Sequence, residues 1–87
     1  MYNKKYALIT GASGLLGPEH AAALAEIGFN LILIDIKKKE LNKKFKDLKR
    51  KFYHRNIFEY VCDITSEKQV KSILKKLTKN KIFVNVL

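Results

Sequence analysis

Three glycines stand three residues apart where an apolar run meets an alanine-rich one. They are Gly11, Gly14 and Gly17, within the stretch LITGASGLLGPEH. Where a strand leads into a helix, unpaired backbone N–H groups and the positive end of the helix dipole form an anion site. Glycine lets the chain turn tightly and lets a diphosphate approach the backbone without meeting a Cβ. The spacing therefore predicts a site for the diphosphate of a dinucleotide.

Each glycine has its own expected task. We expect Gly11 to make the turn off the first strand, Gly14 to allow the close approach of the ligand, and Gly17 to let the helix pack against the sheet. A P-loop is excluded because Pro18 and Glu19 follow the glycines, where that motif requires lysine and then serine or threonine. A glycine-rich connector that binds no ligand is the alternative.

An aspartate ends the next apolar run. Asp35 follows Gly17 by 18 residues, and its carboxylate could accept hydrogen bonds from both ribose hydroxyls of an adenosine. It would also repel a 2′-phosphate, by roughly 4 kcal/mol for unit charges ~4 Å apart at an effective dielectric of ~20. The sequence therefore predicts NAD over NADP, although lysines at positions 37–39 could partly neutralise such a phosphate. The alternative role for Asp35 is to cap the second helix.

A second aspartate, Asp63, ends the third apolar run in the stretch CDIT. Its side chain could touch the edge of an adenine, with Ile64 as an apolar wall. The alternative is a capping role ahead of the helix that begins near Ser66. The residues alone leave both interpretations open.

The apolar pattern supplies the elements that would position these residues. Four apolar runs predict buried strands, over residues 5–10, 29–35, 57–64 and 81–87. Helices are predicted over 14–28, over a lysine-rich segment with an apolar stripe of Leu41, Phe45, Leu48 and Phe52, and over 65–80 with a stripe of Val70, Ile73, Leu74 and Leu77. Gly28 is placed to end the first helix in a left-handed turn, and Ser66 and Gln69 have the spacing of a capping box.

The resulting order, βαβαβαβ, predicts a Rossmann-type α/β fold: a three-layer αβα arrangement with a parallel sheet and right-handed crossovers. We expect the fourth strand beside the first. Ligands of such sheets bind beyond the carboxyl ends of the strands. Residues 10–17, Asp35 and Asp63 should therefore share one rim.

Length and charge restrict the class of protein. The chain has 87 residues, enough for one domain, and a net charge of +10. Ten Lys or Arg residues against two acidic ones fall between Lys37 and Arg55. Because 16 of the 18 basic residues are lysine, we interpret this segment as a solvated helix face, with binding of a nucleic acid as the alternative.

Two further features favour a cytoplasmic protein. Cys62 is the single cysteine, which excludes an internal disulfide and suits a reducing compartment. No apolar run approaches the roughly 18 residues needed to cross a membrane. We expect no metal site, because His20 and His54 have no partner at metal-ligand or triad spacing.

Together these stretches resemble the short-chain dehydrogenase/reductase family. The matching pieces are ALITGASGLLG, LILID, VCDIT and KIFVNVL, which run through the whole chain and correspond to the N-terminal part of the family's single dinucleotide-binding Rossmann domain. The resemblance implies that residues 11–17 hold the cofactor diphosphate, that Asp35 selects NAD, and that Asp63 and Ile64 border the adenine. The implied cofactor contacts are Gly11, Ser13, Gly14, Leu15, Leu16, Gly17, Asp35, Ile36, Asp63 and Ile64.

The glycine spacing departs from the commonest pattern of the family. That pattern, TGxxxGxG, would place a glycine where Leu15 stands, whereas this chain has TGxxGxxG. The observed spacing is similar to that of the sugar-epimerase branch, and some simple reductases also carry it. The substrate class implied by the resemblance is therefore either a hydroxyacyl or keto compound, or a nucleotide sugar.

The catalytic pair of the family has no match in this chain. The family uses a tyrosine as acid and base, with a lysine four residues later, and none of Tyr2, Tyr6, Tyr53 and Tyr60 has that lysine. We therefore expect the chain to bind at most the adenosine diphosphate end of the cofactor and to catalyse nothing alone. The resemblance implies hydride transfer between nicotinamide and a carbonyl or alcohol, a small-molecule substrate and a homo-oligomer for the full-length form. A non-catalytic module that binds a nucleotide or a methyl donor is the alternative.

Overall fold

The computed structural model describes residues 4–86, in which strands and helices alternate. In chain order they are β1 (Tyr6–Thr10), α1 (Gly17–Glu26), β2 (Asn30–Asp35), α2 (Lys38–Lys51), β3 (Ile57–Val61), α3 (Glu67–Lys79) and β4 (Val84–Val86). Every predicted element is present. The fourth strand is shorter than its apolar run, and Leu87, the last residue of that run, lies outside the described residues.

The four strands form one parallel sheet in the order β3-β2-β1-β4. Leu8 pairs with Ile32 on β2, and Ile32 in turn pairs with Phe58 on β3. The predicted α/β fold class and the position of β4 beside β1 are confirmed. The carboxyl ends of β1, β2 and β3 consequently meet at one rim.

Helices cover both faces of the sheet, which explains why the four central residues of β2 are all apolar. Alternate strand residues point to opposite faces. One face, with Ala7, Ile9, Leu31 and Leu33, packs with buried residues of α1 and α2. The other face, with Tyr6, Leu8, Ile32 and Ile34, packs with buried residues of α3. The arrangement has the three expected layers.

The apolar stripe of α2 is placed as predicted. Leu41, Leu48 and Phe52 are buried, and Phe45 packs against the same cluster. In α3, Ile73 and Leu77 are buried and Val70 is partly buried, but Leu74 is 50% exposed. The prediction of Leu74 in the buried stripe is wrong. Ile73 and Leu77, four residues apart, already face the sheet, and Leu74 is rotated about 100° away from Ile73.

The third strand ends earlier than predicted, at Val61 instead of residue 64. The last ladder hydrogen bond joins the Cys62 N–H to the Asp35 carbonyl at 2.9 Å. Beyond it the Asp63 carboxylate accepts from the Thr65 N–H at 2.9 Å, a local turn that competes with sheet pairing. Asp63 therefore follows the strand, and Ile64 lies in the turn.

Candidate functional site

The loop from β1 to α1 begins with a left-handed residue. Gly11 has φ +60°, a conformation that glycine adopts without steric cost. Its carbonyl oxygen accepts a hydrogen bond from the Gly14 N–H at 2.9 Å. The structure thus has the tight turn that was expected at Gly11, and the turn brings the loop back toward the start of α1.

Gly17 permits the closest backbone approach in this loop. A Cβ at this position would lie 2.5 Å from the Gly11 carbonyl oxygen and 2.8 Å from both Cα and O of Ala12. A Cβ at Gly14 would lie 3.1 Å from the same Gly11 oxygen. The atoms nearest to such a Cβ at Gly17 belong to the two residues that directly follow β1, so this glycine lets the start of α1 lie close to the backbone that leaves the sheet.

The carboxylate of Asp35 ties this loop to β2. Asp35 Oδ2 accepts from the Ser13 N–H at 3.0 Å and from the Ser13 Oγ–H at 2.7 Å. Asp35 Oδ1 accepts from the Lys37 N–H at 3.0 Å. A backbone bond from the Ala12 N–H to the Ile34 carbonyl, 3.1 Å long, holds the loop from the other side. Residues 22 positions apart in the sequence are thereby joined.

Asp35 is a buried charged residue, 9% exposed. Burial raises the pKa of its carboxyl, but the hydrogen bonds from the Ser13 hydroxyl and from the backbone N–H groups of Lys37 and Ser13 outweigh that effect, so the pKa lies below its ordinary value. The carboxylate is therefore ionised at neutral pH. At neutral pH this rim therefore carries a negative charge at the end of β2.

Asp35 fulfils only part of its alternative role as a cap of the second helix. Lys37 is the N-cap residue of α2, and its side chain makes no capping hydrogen bond. Asp35 accepts from the N–H of that residue, one position before the helix. The Lys37 amide was not among the predicted contacts. An aspartate that bonds the backbone two residues later is a recognised turn pattern, and that pattern is the signal that could have revealed it.

Asp63 is held by its immediate neighbours. Its Oδ1 accepts from the N–H and the Oγ1–H of Thr65, at 2.9 and 2.6 Å. The hydrogen bonds from the Thr65 side chain and backbone keep the pKa of Asp63 below its ordinary value. Its backbone N–H donates to Gln69 Oε1 at 2.8 Å. The contact of Asp63 with an adenine stays a prediction.

The predicted cap of α3 is Ser66, whose Oγ accepts from the Gln69 N–H at 3.3 Å. Only this half of the capping box forms. Gln69 Oε1 accepts from Asp63 instead of returning to the Ser66 N–H, and the Ser66 N–H donates to the Asp63 carbonyl at 2.9 Å. Helix α3 is thereby tied to the segment that follows β3.

The remaining predicted contacts are exposed apolar side chains around the rim. They are between 56% and 93% exposed and comprise Leu15, Leu16, Ile36 and Ile64. An apolar groove of about 360 Å³ opens beside Ile64, between the sheet and α3, and Ile34 and Cys62 contribute to its wall. The structure therefore brings the glycine loop and Asp35 into direct contact. It places Asp63 and Ile64 on the same rim, held by separate hydrogen bonds.

Comparison with known proteins identifies the family. Residues 5–87 match the sequence model of the short chain dehydrogenase family. This chain belongs to the short-chain dehydrogenase family. The resemblance seen in the sequence is confirmed.

Individual members of the short-chain dehydrogenase family show how much of a longer protein is matched. The diacetyl reductase [(S)-acetoin forming] of Staphylococcus epidermidis is 37% identical over 71 residues, which cover 82% of this chain and 27% of that protein. The NAD+-bound xylitol dehydrogenase has a TM-score of 0.80 and 33% identity, with 91% of this chain and 30% of that one covered.

A third relative is the L-sorbose reductase from Gluconobacter frateurii, whose structure is a complex with NADPH and L-sorbose. It has a TM-score of 0.79 and 25% identity, and the match covers 88% of this chain and 29% of that one. This chain thus spans less than a third of the length of each of these relatives.

The described helices are all too short or too polar to cross a lipid bilayer. Within residues 4–86, the His, Cys, Asp and Glu side chains form no group of three or more that could hold a metal ion.

Proposed function

We propose that this chain forms the adenosine-binding portion of an NAD-dependent oxidoreductase of the short-chain dehydrogenase type. In that enzyme a hydride passes between the nicotinamide and a carbonyl or alcohol substrate. The observation that carries the proposal is the ionised Asp35 carboxylate, buried at the carboxyl end of β2 and bonded to the glycine loop through Ser13. The family membership and the glycine loop support the same function.

The start of α1 supplies the site for the diphosphate. Leu16 is its N-cap residue and provides no side-chain hydrogen bond, in contrast to Ser66 at the start of α3. Because Pro18 has no N–H, the N–H groups of Gly17 and Glu19 are those left in the first turn of α1 for another acceptor. Together with the positive end of the helix dipole, they suit the negative charge of a diphosphate. Leu15, Leu16 and Gly17 would contact it through their backbones.

Asp35 would bind the ribose of the adenosine and favour NAD. Its fixed negative charge opposes a 2′-phosphate, whereas ribose hydroxyls can donate to it. Residues 37–39 are exposed lysines. Their positive charges reduce the preference for NAD, but the negative charge of Asp35 stays nearest to the ribose. The NAD+-bound state of the xylitol dehydrogenase relative supports this choice. The NADPH complex of the sorbose reductase shows that the family also includes the other cofactor.

The adenine would lie against the apolar surface beyond the carboxyl ends of β2 and β3. Ile36 and Ile64 expose apolar side chains there, and Asp63 would face the edge of the ring. The groove beside Ile64 gives this surface the apolar character that an adenine face requires. We expect the full-length enzyme to be a cytoplasmic homo-oligomer. Cys62, a buried free thiol, should stay reduced in that compartment.

Calorimetric titration of the 87-residue chain with AMP, ADP-ribose, NAD and 2′,5′-ADP tests the proposal. We expect heat with the first three ligands and at least tenfold weaker binding of 2′,5′-ADP, because about 4 kcal/mol of charge repulsion is reduced by salt and by the lysines. Asp35→Ala should remove most of the AMP binding and of the discrimination. Asp47→Ala, which removes an exposed carboxylate from α2, is the matched control.

We expect no oxidation of NADH by this chain with any carbonyl substrate, because no tyrosine has the partner lysine of the family. Absence of heat with AMP, ADP-ribose and NAD, on protein shown to be folded by circular dichroism, would overturn the proposed function. Equal binding of AMP and 2′,5′-ADP would overturn the NAD preference alone. Measurable oxidation of NADH by this chain would overturn the expectation that it catalyses nothing alone.

A further inference from the structure

The protein itself occupies most of the acceptor capacity of Asp35. A carboxylate offers about four lone-pair positions, and three hydrogen bonds already end on this one. Two of the donors are backbone N–H groups, of Ser13 and Lys37, which the loop and the start of α2 hold in place. The third donor is the Ser13 hydroxyl, whose bond of 2.7 Å is the shortest of the three.

A ribose with two free hydroxyls needs two acceptor positions, whereas about one is open. The backbone donors cannot leave without moving the loop or the helix. The Ser13 hydroxyl can leave by rotation about a single side-chain bond. We infer that the Ser13 hydroxyl occupies the ribose position of Asp35 in the unliganded protein and must be displaced by the nucleotide, an inference that rests on the proposed function.

This displacement gives Ser13 two effects on cofactor binding. It lowers the affinity for an adenosine ribose, because a formed hydrogen bond between Ser13 and Asp35 is exchanged for one to the ligand. It also narrows the discrimination against NADP. A ribose with a 2′-phosphate has a single free hydroxyl, which fits the open acceptor position without displacing the Ser13 hydroxyl, so only NAD bears the cost of the exchange. Ser13 is thus a specificity-determining residue that acts through Asp35.

The test compares Ser13→Ala with the wild-type chain by calorimetric titration. We expect Ser13→Ala to bind AMP about fivefold more tightly, as follows from the net value of one hydrogen bond. The gain should vanish with 2′-deoxy-AMP, because a single hydroxyl fits the acceptor position that Ser13 leaves open. Ser72→Ala, which removes an exposed serine from α3, is the matched control and should bind both nucleotides as the wild type does.

A second variant keeps the test valid if Ser13→Ala does not fold. Ser13→Cys retains a weaker donor, and its affinity for AMP should lie between those of the wild type and of Ser13→Ala. Thermal unfolding followed by circular dichroism establishes which chains are folded.

Two results would overturn the inference in different ways. Equal or weaker AMP binding by the folded Ser13 variants would show that the hydroxyl does not compete with the ribose, and the proposed function would survive. Absence of AMP and NAD binding by the wild type and by every variant would overturn the proposed function, and this inference with it.

Discussion

Asp35 ends strand β2 and Asp63 follows the adjacent strand β3, yet the structure holds them in different ways. Asp35 is buried and receives hydrogen bonds from a loop that belongs to another strand, 22 residues away. Asp63 is partly exposed, and its carboxylate is bonded to Thr65, two residues further on. One carboxylate joins two parts of the fold, whereas the other stabilises its own turn.

The difference arises from the order of the strands. β2 lies directly beside β1, so the loop that leaves β1 passes over the end of β2 and reaches Asp35. Within residues 4–86, β3 is at the sheet edge and has only β2 as a neighbour. In this part of the chain no strand beyond β3 supplies a loop to cover Asp63. The rim therefore has a rigid part at β1 and β2, and a locally held part at β3.

The largest effect is expected from breaking the rigid part at Gly17. A Cβ there would meet backbone atoms of Gly11 and Ala12 at 2.5 to 2.8 Å, so we expect Gly17→Ala to lower the free energy of unfolding by about 3 kcal/mol. Urea denaturation of the 87-residue chain measures this loss. Gly14→Ala is the control, because its nearest contact is 3.1 Å and its cost should be about 1 kcal/mol. Equal costs would contradict the packing proposed for Gly17.

A smaller effect should separate the two carboxylates. Asp35→Ala leaves the donors of Ser13 and Lys37 without their acceptor in a partly buried place, which should cost about 2 kcal/mol of unfolding free energy. Asp63→Ala removes hydrogen bonds that water can replace, so its loss should be clearly smaller. Urea denaturation of both variants at pH 7 tests the order. A larger loss for Asp63→Ala would contradict the division of the rim into a rigid and a local part.

Much of this arrangement could be predicted from the sequence, because it depends on local patterns. Continuous apolar runs predict the strands, and their alternation with helices predicts that the strands are parallel. The turn at Gly11 and the left-handed Gly28, with φ +112°, follow from a conformation that glycine adopts without steric cost. The position of Asp35 and Asp63 on the rim is predictable because each ends an apolar run that reads as a strand.

The contacts that those aspartates make beyond their own turns could not be predicted, because they depend on how separate elements of the fold meet. No periodicity indicates that the Ser13 hydroxyl reaches Asp35, or that Gln69 binds the Asp63 N–H instead of completing a capping box. The early end of β3 has the same origin, since the Asp63 turn outweighs the apolar character of Ile64. The prediction that Leu74 is buried is wrong because the four apolar residues of α3 span a wider face than the sheet covers.

The smallest expected effect concerns acid, where both carboxylates should contribute with the same sign. The pKa of each lies below its ordinary value of 3.8 in the folded protein. The stabilisation they give is complete well above that value and is lost as the pH falls through the lower, folded value. Unfolding free energy should therefore fall from about pH 5 downward. Asp35→Asn and Asp63→Asn should each flatten this fall, because each removes a carboxyl whose pKa is lowered in the folded chain. Urea denaturation from pH 7 to pH 3 measures this decrease in unfolding free energy. If Asp35→Asn loses as much stability in acid as the wild type does, other carboxylates carry the acid dependence. The rigid part of the rim would then not need the charge of Asp35.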